Sequence, residues 1–401
     1  MTANRLKIFN GKIITPRGII PEGTILIEGN KIISVGQSNT DFPHATVINA
    51  QGDYISPGFI DIHVHGGGGY DFMDCTEEAF LKIAETHAQY GTTSMLPTTL
   101  TGSKEQILEV LKVYKTVNEK NSRGSQFLGM HLEGPYLAMN QKGAQDPKYI
   151  RDPDPEEYKE IISRFGSVVK RWSAAPELKG AIEFGRYLKA KEILPAIAHT
   201  DAIYEEAELA FKNGYTLATH FYSAMSGVTR KNAFRYAGVI EAGYLIDEMD
   251  VEIIADGIHL PAPLLKLVYK IKGSAHTALI TDAIRAAAMP PGEYILGNSK
   301  EGMKIISEDG VAKLPDRSSF AGSIATADRL IRTVINLANL PLTEAVKMMS
   351  STPARILGLS ASKGELIAGK DADIIIFDDN IHVRMTICNG KIVKGEEHAS
   401  Y

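Results

Sequence analysis

The feature that most constrains the fold is a series of short apolar runs, rich in β-forming residues, that alternate with helical patterns. Such alternation is typical of parallel βαβ units. The runs begin at Phe59, Thr92, Phe127, Val168, Ile193, Tyr215, Val251 and Thr277. Eight strand-helix units over roughly 290 residues match the size of a (β/α)₈ barrel. The sequence therefore predicts an α/β protein built on a (β/α)₈ TIM-like barrel.

An open, doubly wound α/β sheet is the structural alternative. In its dinucleotide-binding form, that fold carries a Gly-x-Gly-x-x-Gly loop after the first strand. The first run is followed instead by four consecutive glycines at 66–69. The barrel is therefore the favoured interpretation.

The two ends of the chain follow a different pattern, in which apolar and polar residues alternate around turn-forming pairs. These pairs are Asn10-Gly11, Gly29-Asn30 and Asn389-Gly390, and each is typical of a tight hairpin turn. We expect strands from both termini to complete one small β-sandwich domain.

The predicted domain boundaries follow from this change of pattern. We assign residues 1–56 and 358–401 to the β-sandwich domain and residues 57–357 to the barrel. Within the barrel, the stretch 289–319 is rich in Pro, Gly and charge, which indicates a hairpin or lid. Ser103 with Gln106 resembles a capping box at the start of a helix.

Composition excludes several classes of partner. The chain has 401 residues and a formal net charge of −5, so it offers no basic field for nucleic acid or an anionic membrane. The sequence has no secretory signal pattern and no run of 18 apolar residues. The two cysteines, Cys75 and Cys388, cannot build a disulfide framework. These observations predict a protein of the cytoplasm.

Metal-binding residue types gather where the predicted strands end. The first run ends with His63 and His65, and residues two apart on a strand share a face. The other residues at strand ends are Glu133, His199, His220, His259 and Asp282. A single strand histidine is usually structural, but five of the 11 histidines at comparable positions indicate a metal site. Imidazole and carboxylate are ligands of Zn²⁺ and related divalent ions.

Seven motifs, in order, carry a resemblance to a known family. They are PGFIDIHVHGGGG, MHLEGPYL, AHTDA, THFYSAM, ADGIHL, ITDA and AGS. With them, the chain resembles the N-acetylglucosamine-6-phosphate deacetylases of the amidohydrolase superfamily over nearly its whole length. Many superfamily members end the fourth strand with a modified lysine that bridges two metals. Here that strand ends Ser-Ala-Ala-Pro-Glu at 173–177, and Glu133 is available instead.

The resemblance implies roles for the metal ligands. Glu133, His199 and His220 would bind the principal metal, while His63 and His65 would add a second. The expected cofactor is one or two divalent ions per chain. Zn²⁺ is the expected ion, and Fe²⁺, Co²⁺ and Mn²⁺ are the alternatives. Such an ion polarises the acetamide carbonyl and acidifies water.

The resemblance also implies a catalytic acid-base group and a set of substrate contacts. Asp282 would take a proton from water and return it to the departing amine. The expected substrate-binding residues are His259, Gly134, Gln145, Ser223, Ala224, Arg230 and Arg235. Many relatives have histidine at the position of Gln145 and asparagine at that of Ser223. One of the two arginines would come from a partner subunit, which implies a homodimer.

The predicted function is hydrolysis of N-acetylglucosamine 6-phosphate to glucosamine 6-phosphate and acetate. The alternative is another amidohydrolase, which acts on N-acetylgalactosamine 6-phosphate or on a cyclic amide. The two sugar phosphates differ in the configuration of one hydroxyl, which the motifs do not report. A metal- or sugar-binding barrel without turnover is the alternative outside catalysis. Asp282 argues against it, since binding alone needs no proton shuttle.

Overall fold

The computed structural model describes residues 4–37 and 40–395. Its N-terminal part consists of strands, and the first of them alternates buried with more exposed positions over most of its length, as expected for a sheet with one covered face. These strands are β1 (Arg5–Thr15), β2 (Gly18–Glu28), β3 (Lys31–Gly36), β4 (Thr46–Asn49) and β5 (Tyr54–Pro57).

The middle of the chain alternates strands with helices, as the apolar runs predict. Its elements are β6 (Phe59–Val64), β7 (Gly66–Gly67), β8 (Tyr70–Asp71), α1 (Glu77–Ala88), β9 (Thr92–Thr99), α2 (Lys104–Val117), β10 (Gln126–Phe127), β11 (Met130–Glu133), α3 (Pro155–Phe165), β12 (Val169–Ala174), α4 (Ala181–Ala190), β13 (Leu194–Ile197), α5 (Tyr204–Lys212), β14 (Leu217–Ala218), β15 (Thr229–Lys231), β16 (Phe234–Tyr236), α6 (Val239–Leu245), β17 (Asp250–Ile253), α7 (Ala262–Lys272) and β18 (Thr277–Leu279). Short 3₁₀ helices lie at Phe72–Asp74, Met139–Gln141 and Pro147–Tyr149.

The remaining elements form an inserted hairpin, three helices and the C-terminal strands. They are β19 (Gly292–Leu296), β20 (Met303–Glu308), β21 (Val311–Lys313), α8 (Ala327–Ala338), α9 (Leu342–Met348), α10 (Ser351–Ile356), β22 (Ile374–Phe377), β23 (Val383–Cys388) and β24 (Lys391–Lys394). Within the described ranges, no helix is both long and apolar enough to cross a membrane.

The parallel strands form a nearly closed barrel. β6 pairs with β9, and the sheet continues through β11, β12, β13, β14 and β17 to β18. The seam between the end of β18 and β6 is joined by Asp282, whose N–H donates to the carbonyl of His63 at 2.9 Å. His65 N–H donates in turn to the carbonyl of Ala283 at 2.8 Å. The predicted barrel is confirmed, and its seam lies at three of the candidate site residues.

Strands from both termini form one sheet, in the order β24, β23, β22, β5, β1, β2 and β3, with β4 paired to β1. Side chains from both ends of the chain meet in a single apolar cluster that includes Leu6, Ile25, Ile374 and Ile387. The sheet therefore encloses its own core, which confirms a second β domain built from the termini. The boundaries at 56/57 and 357/358 stay predictions, and residues 1–3 and 396–401 lie outside the described residues.

The prediction of a hairpin turn at Asn10-Gly11 is wrong. β1 runs through this pair without turning, and a register shift lies between Ile8 and Gly11. Asn10 takes a positive φ of 58°, and a Cβ on Gly11 would lie 2.5 Å from a side-chain carbon of Ile55. The pair therefore forms a β-bulge that allows close packing, which uses the same residue preferences as a turn.

Four other local predictions are confirmed. Gly29-Asn30 connects β2 to β3, and Asn389-Gly390 connects β23 to β24. Ser103 caps α2 in a capping box with Gln106. The stretch 289–319 contains the antiparallel sheet of β19, β20 and β21.

Candidate active site

A cavity of about 320 Å³ opens where the barrel strands end. The predicted site residues that line it are His65, Glu133, Gln145, His199, His220, Ser223, Ala224, His259 and Asp282. The carboxyl ends of parallel barrel strands share one face, which is where barrel enzymes place their chemistry. His63, fully buried, contacts this set from within the barrel.

The first candidate metal group consists of Glu133, His199 and His220. Glu133 Oε1 lies 3.1 Å from His220 Nε2 and 3.5 Å from His199 Nε2. The two histidine Nε2 atoms are 3.3 Å apart. The three side chains are buried and their ligand atoms lie within 4.8 Å of one another, so these atoms converge on one point at the cavity wall.

Backbone carbonyls orient both histidines of this group. His199 Nδ1 lies 2.7 Å from the carbonyl of Gln141, and His220 Nδ1 lies 3.1 Å from that of Ser223. A carbonyl oxygen only accepts, so each Nδ1 carries a hydrogen, and in the neutral imidazole the lone pair is then on Nε2. This arrangement is the one that metal-ligating histidines adopt.

The second candidate metal group shares Glu133 with the first and adds His63 and His65. His63 Nε2 lies 3.1 Å from His65 Nε2 and 3.4 Å from Glu133 Oε1. His65 Nε2 lies 3.4 Å from Glu133 Oε2. Oε1 of Glu133 thus faces His63 as well as the two histidines of the first group, while Oε2 faces His65, so the two groups share this carboxylate.

The donor set fits divalent metal ions. Buried imidazole nitrogens that face each other at 3.1–3.3 Å need a hydrogen or a cation between them. Nitrogen and carboxylate oxygen are the ligand types of Zn²⁺, and of Fe²⁺, Co²⁺ and Mn²⁺ in related sites. The residues present can therefore hold a metal, while the arrangement alone does not select one of these ions.

Two neighbouring buried groups, Glu133 and His65, have perturbed pKa values. Burial would raise the pKa of Glu133, but the charge of His63 and hydrogen bonds from His199, His220 and His65 hold it well below its usual range. Burial would lower the pKa of His65, but hydrogen bonds to Asp282 and Glu133 raise it to about 10. The proton on His65 and a metal cation compete for the same lone pair, so metal affinity falls as pH falls.

Asp282 lies against the second group. Its Oδ1 is 3.1 Å from His65 Nε2 and 3.4 Å from His63 Nε2. Burial would raise the pKa of Asp282, but these two histidines outweigh burial and lower it. The residue has a positive φ of 47°, a strained conformation that often marks functional sites. An ionised carboxylate beside the ligand groups is suited to accept a proton.

Gln145 holds Glu133 in place. Its Nε2 donates to Glu133 Oε2 at 2.7 Å, and its Oε1 accepts from the backbone N–H of Thr101 at 2.8 Å. These two bonds fix which end of the amide faces Glu133. One amide hydrogen remains for a ligand in the cavity.

His259 is oriented by a neighbouring carboxylate. Its Nδ1 lies 2.8 Å from Asp256 Oδ2. Burial would raise the pKa of Asp256, but the hydrogen bond and charge of His259 lower it. Asp256 is therefore an acceptor, and His259 Nε2 is left for the cavity. The ring of Phe320, which follows β21, lies 4.8 Å from that of His259 between centroids.

The inserted sheet β19–β21 is tied to the barrel next to the cavity. Arg285 donates to Asp74 at 2.8 Å, to the carbonyl of Ile295 at 2.6 Å and to that of Gly297 at 2.7 Å. These bonds hold Leu296 at the cavity wall. The sheet is thus a fixed part of the cavity.

Ser223 and Ala224 line the cavity in a tight turn after β14. The N–H of Ser223 donates to the carbonyl of His220 at 2.8 Å. Tyr222 and Ala224 both have positive φ, 79° and 49°. In the described part of the chain, the N–H of Ala224 makes no hydrogen bond. Backbone N–H groups in such turns form anion-binding concavities.

Arg230 and Arg235 lie outside the cavity. They are paired across the hairpin of β15 and β16, and both are exposed. Exposed apolar side chains flank them, since Val228 is 61% and Phe234 72% exposed. Neither arginine lines the cavity of its own chain.

Both backbone polar groups of Gly134 form hydrogen bonds with residues of the barrel. Its N–H donates to the carbonyl of Ser173 at 3.2 Å, and its carbonyl accepts from Trp172 Nε1 at 2.8 Å. Its role as a substrate contact stays a prediction.

Three buried polar residues beside the site are not among those that the sequence predicts. His131 lies two positions before Glu133 on β11 and packs its ring edge against His63, 4.6 Å between centroids. Arg171 on β12 and Glu252 on β17 form an ion pair in the barrel interior. The available signals were the two-residue spacing of His131 and the occurrence of a charge inside an otherwise apolar run.

The comparisons with known proteins agree on one family. Residues 54–393 match the amidohydrolase family. N-acetylglucosamine-6-phosphate deacetylase of Bacillus subtilis (strain 168) is 34% identical over 394 residues, which cover 97% of this chain and 97% of that protein. N-acetylgalactosamine-6-phosphate deacetylase of Escherichia coli O157:H7 is 31% identical over 347 residues, 86% of this chain and 89% of that protein.

Solved structures of the same enzyme have the same fold. N-acetylglucosamine-6-phosphate deacetylase of Pasteurella multocida has a TM-score of 0.90 at 27% identity, covering 98% of this chain and 100% of that one. A mutant of the Mycobacterium smegmatis enzyme in complex with N-acetyl-D-glucosamine-6-phosphate has a TM-score of 0.88 at 28% identity, with 98% and 100% covered.

Proposed function

The chain belongs to the amidohydrolase family, and on that premise we propose that it hydrolyses N-acetylglucosamine 6-phosphate to glucosamine 6-phosphate and acetate. One observation carries the proposal. The carboxylate of Asp282 contacts His65 of a ligand set in which Glu133 is shared by two groups. Curated relatives of this name match nearly the whole chain, which supports the same substrate.

We assign Glu133, His199 and His220 to the principal metal, and His63 and His65 with Glu133 to a second. Zn²⁺ is the proposed ion, with Fe²⁺, Co²⁺ and Mn²⁺ as alternatives that suit the same imidazole and carboxylate donors. The chemistry that a divalent cation supplies in such a site is polarisation of the amide carbonyl and acidification of water. The remaining steps belong to side chains of this protein.

Asp282 moves the proton. It takes one hydrogen from the attacking water while the water oxygen forms a bond to the acetyl carbon. It then delivers that hydrogen to the amide nitrogen as the C–N bond breaks, because an amine leaves only when protonated. The products are the free amine of glucosamine 6-phosphate and acetic acid, which loses the second water proton to give acetate.

His259 and Gln145 position the substrate in this scheme. His259 donates from Nδ1 to Asp256, so its Nε2 accepts a hydrogen from a sugar hydroxyl. Gln145 retains one amide hydrogen after its bond to Glu133, and we assign this hydrogen to a substrate oxygen. A neutral amide donates without adding charge, unlike the histidine of many relatives.

The 6-phosphate is assigned to the turn at Ser223 and Ala224. The free N–H of Ala224 is the donor, while the N–H of Ser223 is already used by His220. Because neither Arg230 nor Arg235 lines the cavity of its own chain, we infer that one of them reaches the phosphate from a second copy. The exposed Phe234 beside them is suited to bury in such a homodimer interface.

A second candidate function is removal of the acetyl group from N-acetylgalactosamine 6-phosphate. It is favoured by the relative of that name, which is 31% identical. The two sugars differ in one hydroxyl configuration. We propose the cytoplasm as the site of either reaction, because Cys75 and Cys388 are both free, as expected in a reducing compartment.

The test is a comparison of acetate release from matched substrates. The panel contains N-acetylglucosamine 6-phosphate, N-acetylgalactosamine 6-phosphate and free N-acetylglucosamine, and the ring opening of a cyclic amide, which releases no acetate, is followed separately. The proposal expects the highest kcat/KM on the first compound. A higher value on the galactose epimer selects the second candidate, and equal rates with and without phosphate reject the phosphate assignment.

A further inference from the structure

A buried pair of opposite charges lies inside the barrel beside His63. Arg171 and Glu252 are both fully buried, and the guanidinium contacts both oxygens of the Glu252 carboxylate, Nη2 to Oε2 at 2.7 Å. The desolvation of two charges offsets most of their attraction, so such pairs are weak sources of stability. The contacts that the pair makes with neighbouring residues therefore indicate its role better than its contribution to stability does.

Glu252 faces Nδ1 of His63, the ring nitrogen that points away from the second metal group. Its Oε2 lies 3.7 Å from His63 Nδ1, a buried atom without a hydrogen-bond partner among the described residues. The other ring nitrogen, Nε2, faces Glu133 Oε1 at 3.4 Å. The imidazole thus lies between the carboxylate of Glu252 and the second metal group.

Arg171 holds both ends of this contact. Besides Glu252, its Nη1 donates to the carbonyl of Ile62 at 3.1 Å, the residue directly before His63. Its Nη2 donates to Thr219 Oγ1 at 2.7 Å. One guanidinium therefore fixes the carboxylate and the backbone of β6 next to His63.

The other metal group lacks this arrangement. His199 and His220 direct Nδ1 to backbone carbonyls, which are neutral and set by the local turn. Only for His63, among the histidines of the two groups in the described chain, does a carboxylate outside the shared ligand set face Nδ1. The ion pair therefore acts on the second group.

We propose that Glu252, held by Arg171, is a positioning residue for His63 and thereby for the second metal. A neutral imidazole carries one N–H, and a carboxylate beside Nδ1 draws the hydrogen there. Nε2 then keeps its lone pair for the cation that His63, His65 and Glu133 bind. This inference rests on the metal sites assigned under the proposed function.

The expected effect is selective loss of one metal. Changes to residues that orient metal ligands cost 10–100-fold in affinity, so Glu252→Gln should weaken the second Zn²⁺ by about that factor. The Zn²⁺ held by Glu133, His199 and His220 should keep its affinity. Zn²⁺ content and affinity are measured by elemental analysis and by titration against a competing chelator.

Two further variants separate positioning from folding. The double variant Arg171→Met with Glu252→Leu removes both charges together, and apolar replacement of a buried pair is often tolerated. Ser173→Ala is the matched control, because it removes a buried hydroxyl of the same network and leaves the ion pair in place. Circular dichroism reports whether each variant is folded.

The inference expects two Zn²⁺ in the unmodified protein and the control, and a weakened second Zn²⁺ in both Glu252 variants. A folded double variant with two ions at unchanged affinity overturns it, as does a wild type that binds a single ion unaffected by His63→Ala. Histidine ¹⁵N NMR of the Zn²⁺-loaded wild type, assigned with His63→Ala, needs no Glu252 variant. Hydrogen on His63 Nδ1 supports the inference, and hydrogen on Nε2 overturns it.

Acetate release by the wild type distinguishes this inference from the proposed function. A protein that binds two ions, weakens one in Glu252→Gln and releases no acetate rejects the substrate assignment and supports the positioning role. Normal acetate release by the wild type, together with an unchanged affinity for the second Zn²⁺ in Glu252→Gln, supports the substrate assignment and rejects the positioning role.

Discussion

Asp282 Oδ1 lies 3.1 Å from Nε2 of His65, across the seam at which the barrel closes. The seam is made by these same segments, because Asp282 N–H donates to the carbonyl of His63 and His65 N–H to that of Ala283. Closing the barrel therefore brings the proposed proton carrier to the proposed second metal group.

Asp282→Asn should retain metal and lose turnover. An amide has the shape of the carboxylate but cannot take the water proton, and one positioned acid-base group is worth about 10²–10⁴-fold in rate. Steady-state kinetics and Zn²⁺ content check this. Near-normal kcat would remove Asp282 from the proton path, and a matching loss of Zn²⁺ would make it chiefly a ligand.

His199→Ala should lose more metal than His63→Ala. His199 belongs to the group whose histidines are fixed by backbone carbonyls, and that group does not depend on His63. We expect His63→Ala to keep about one ion per chain and His199→Ala to lose the principal ion, as measured by elemental analysis after dialysis. His382→Ala, an exposed histidine, is the control. Equal losses in the two site variants would contradict two separable groups.

Arg230→Ala and Arg235→Ala should differ in their effect on phosphorylated substrate. Loss of a charge-assisted bond to phosphate costs about 1.5–3 kcal/mol, or roughly 10- to 100-fold in kcat/KM. The two variants are matched controls, because they are paired across one exposed hairpin. Losses of the same size in both would contradict a single phosphate-binding arginine.

Subunit mixing tests where that arginine acts. A mixed dimer of the impaired arginine variant with Asp282→Asn has one site with an intact aspartate and an intact partner arginine. Activity should therefore recover after verified subunit exchange. Absence of recovery would place the arginine in the site of its own chain.

His87 should make stability fall in acid. Burial lowers the pKa of His87, against the opposing hydrogen bond to the carbonyl of Gly66. Below about pH 6.5 the unfolded chain takes up a proton that the native protein refuses, so the free energy of unfolding falls by up to about 1.4 kcal/mol per pH unit, until the native pKa is reached.

His87→Gln removes the ionisable group, and with it this contribution to the pH dependence of the free energy of unfolding. The difference in unfolding free energy between wild type and variant should be greatest above pH 6.5 and shrink as the pH falls below it. Urea unfolding at pH 5, 6, 7 and 8 measures this, with His382→Gln as the surface control. A difference that does not vary with pH would contradict a neutral buried His87.

The fold and the candidate metal ligands were predictable because their signals are local. Alternation along a strand places His63 and His65 on one face, and parallel strands bring their ends together, so Glu133, His199 and His220 follow. The Asn10-Gly11 pair failed because a turn and a β-bulge use the same residues. Only the packing of Gly11 against Ile55 distinguishes them.

The interior pair was not predictable for a different reason. Arg171 and Glu252 lie on strands separated by two others in the sheet, and they meet only because the barrel curves. A charge in an apolar run indicates an inward position but does not name its partner. The partner depends on strand tilt and register, which no local pattern encodes.

The most direct test of the account is product formation followed by ¹H NMR, with N-acetylglucosamine 6-phosphate and protein that has been stripped by a chelator and then reconstituted with Zn²⁺. We predict that the stripped protein releases no acetate, and that reconstitution restores equal amounts of acetate and glucosamine 6-phosphate. Full turnover by metal-free protein, or no turnover by protein that holds its Zn²⁺, would contradict it.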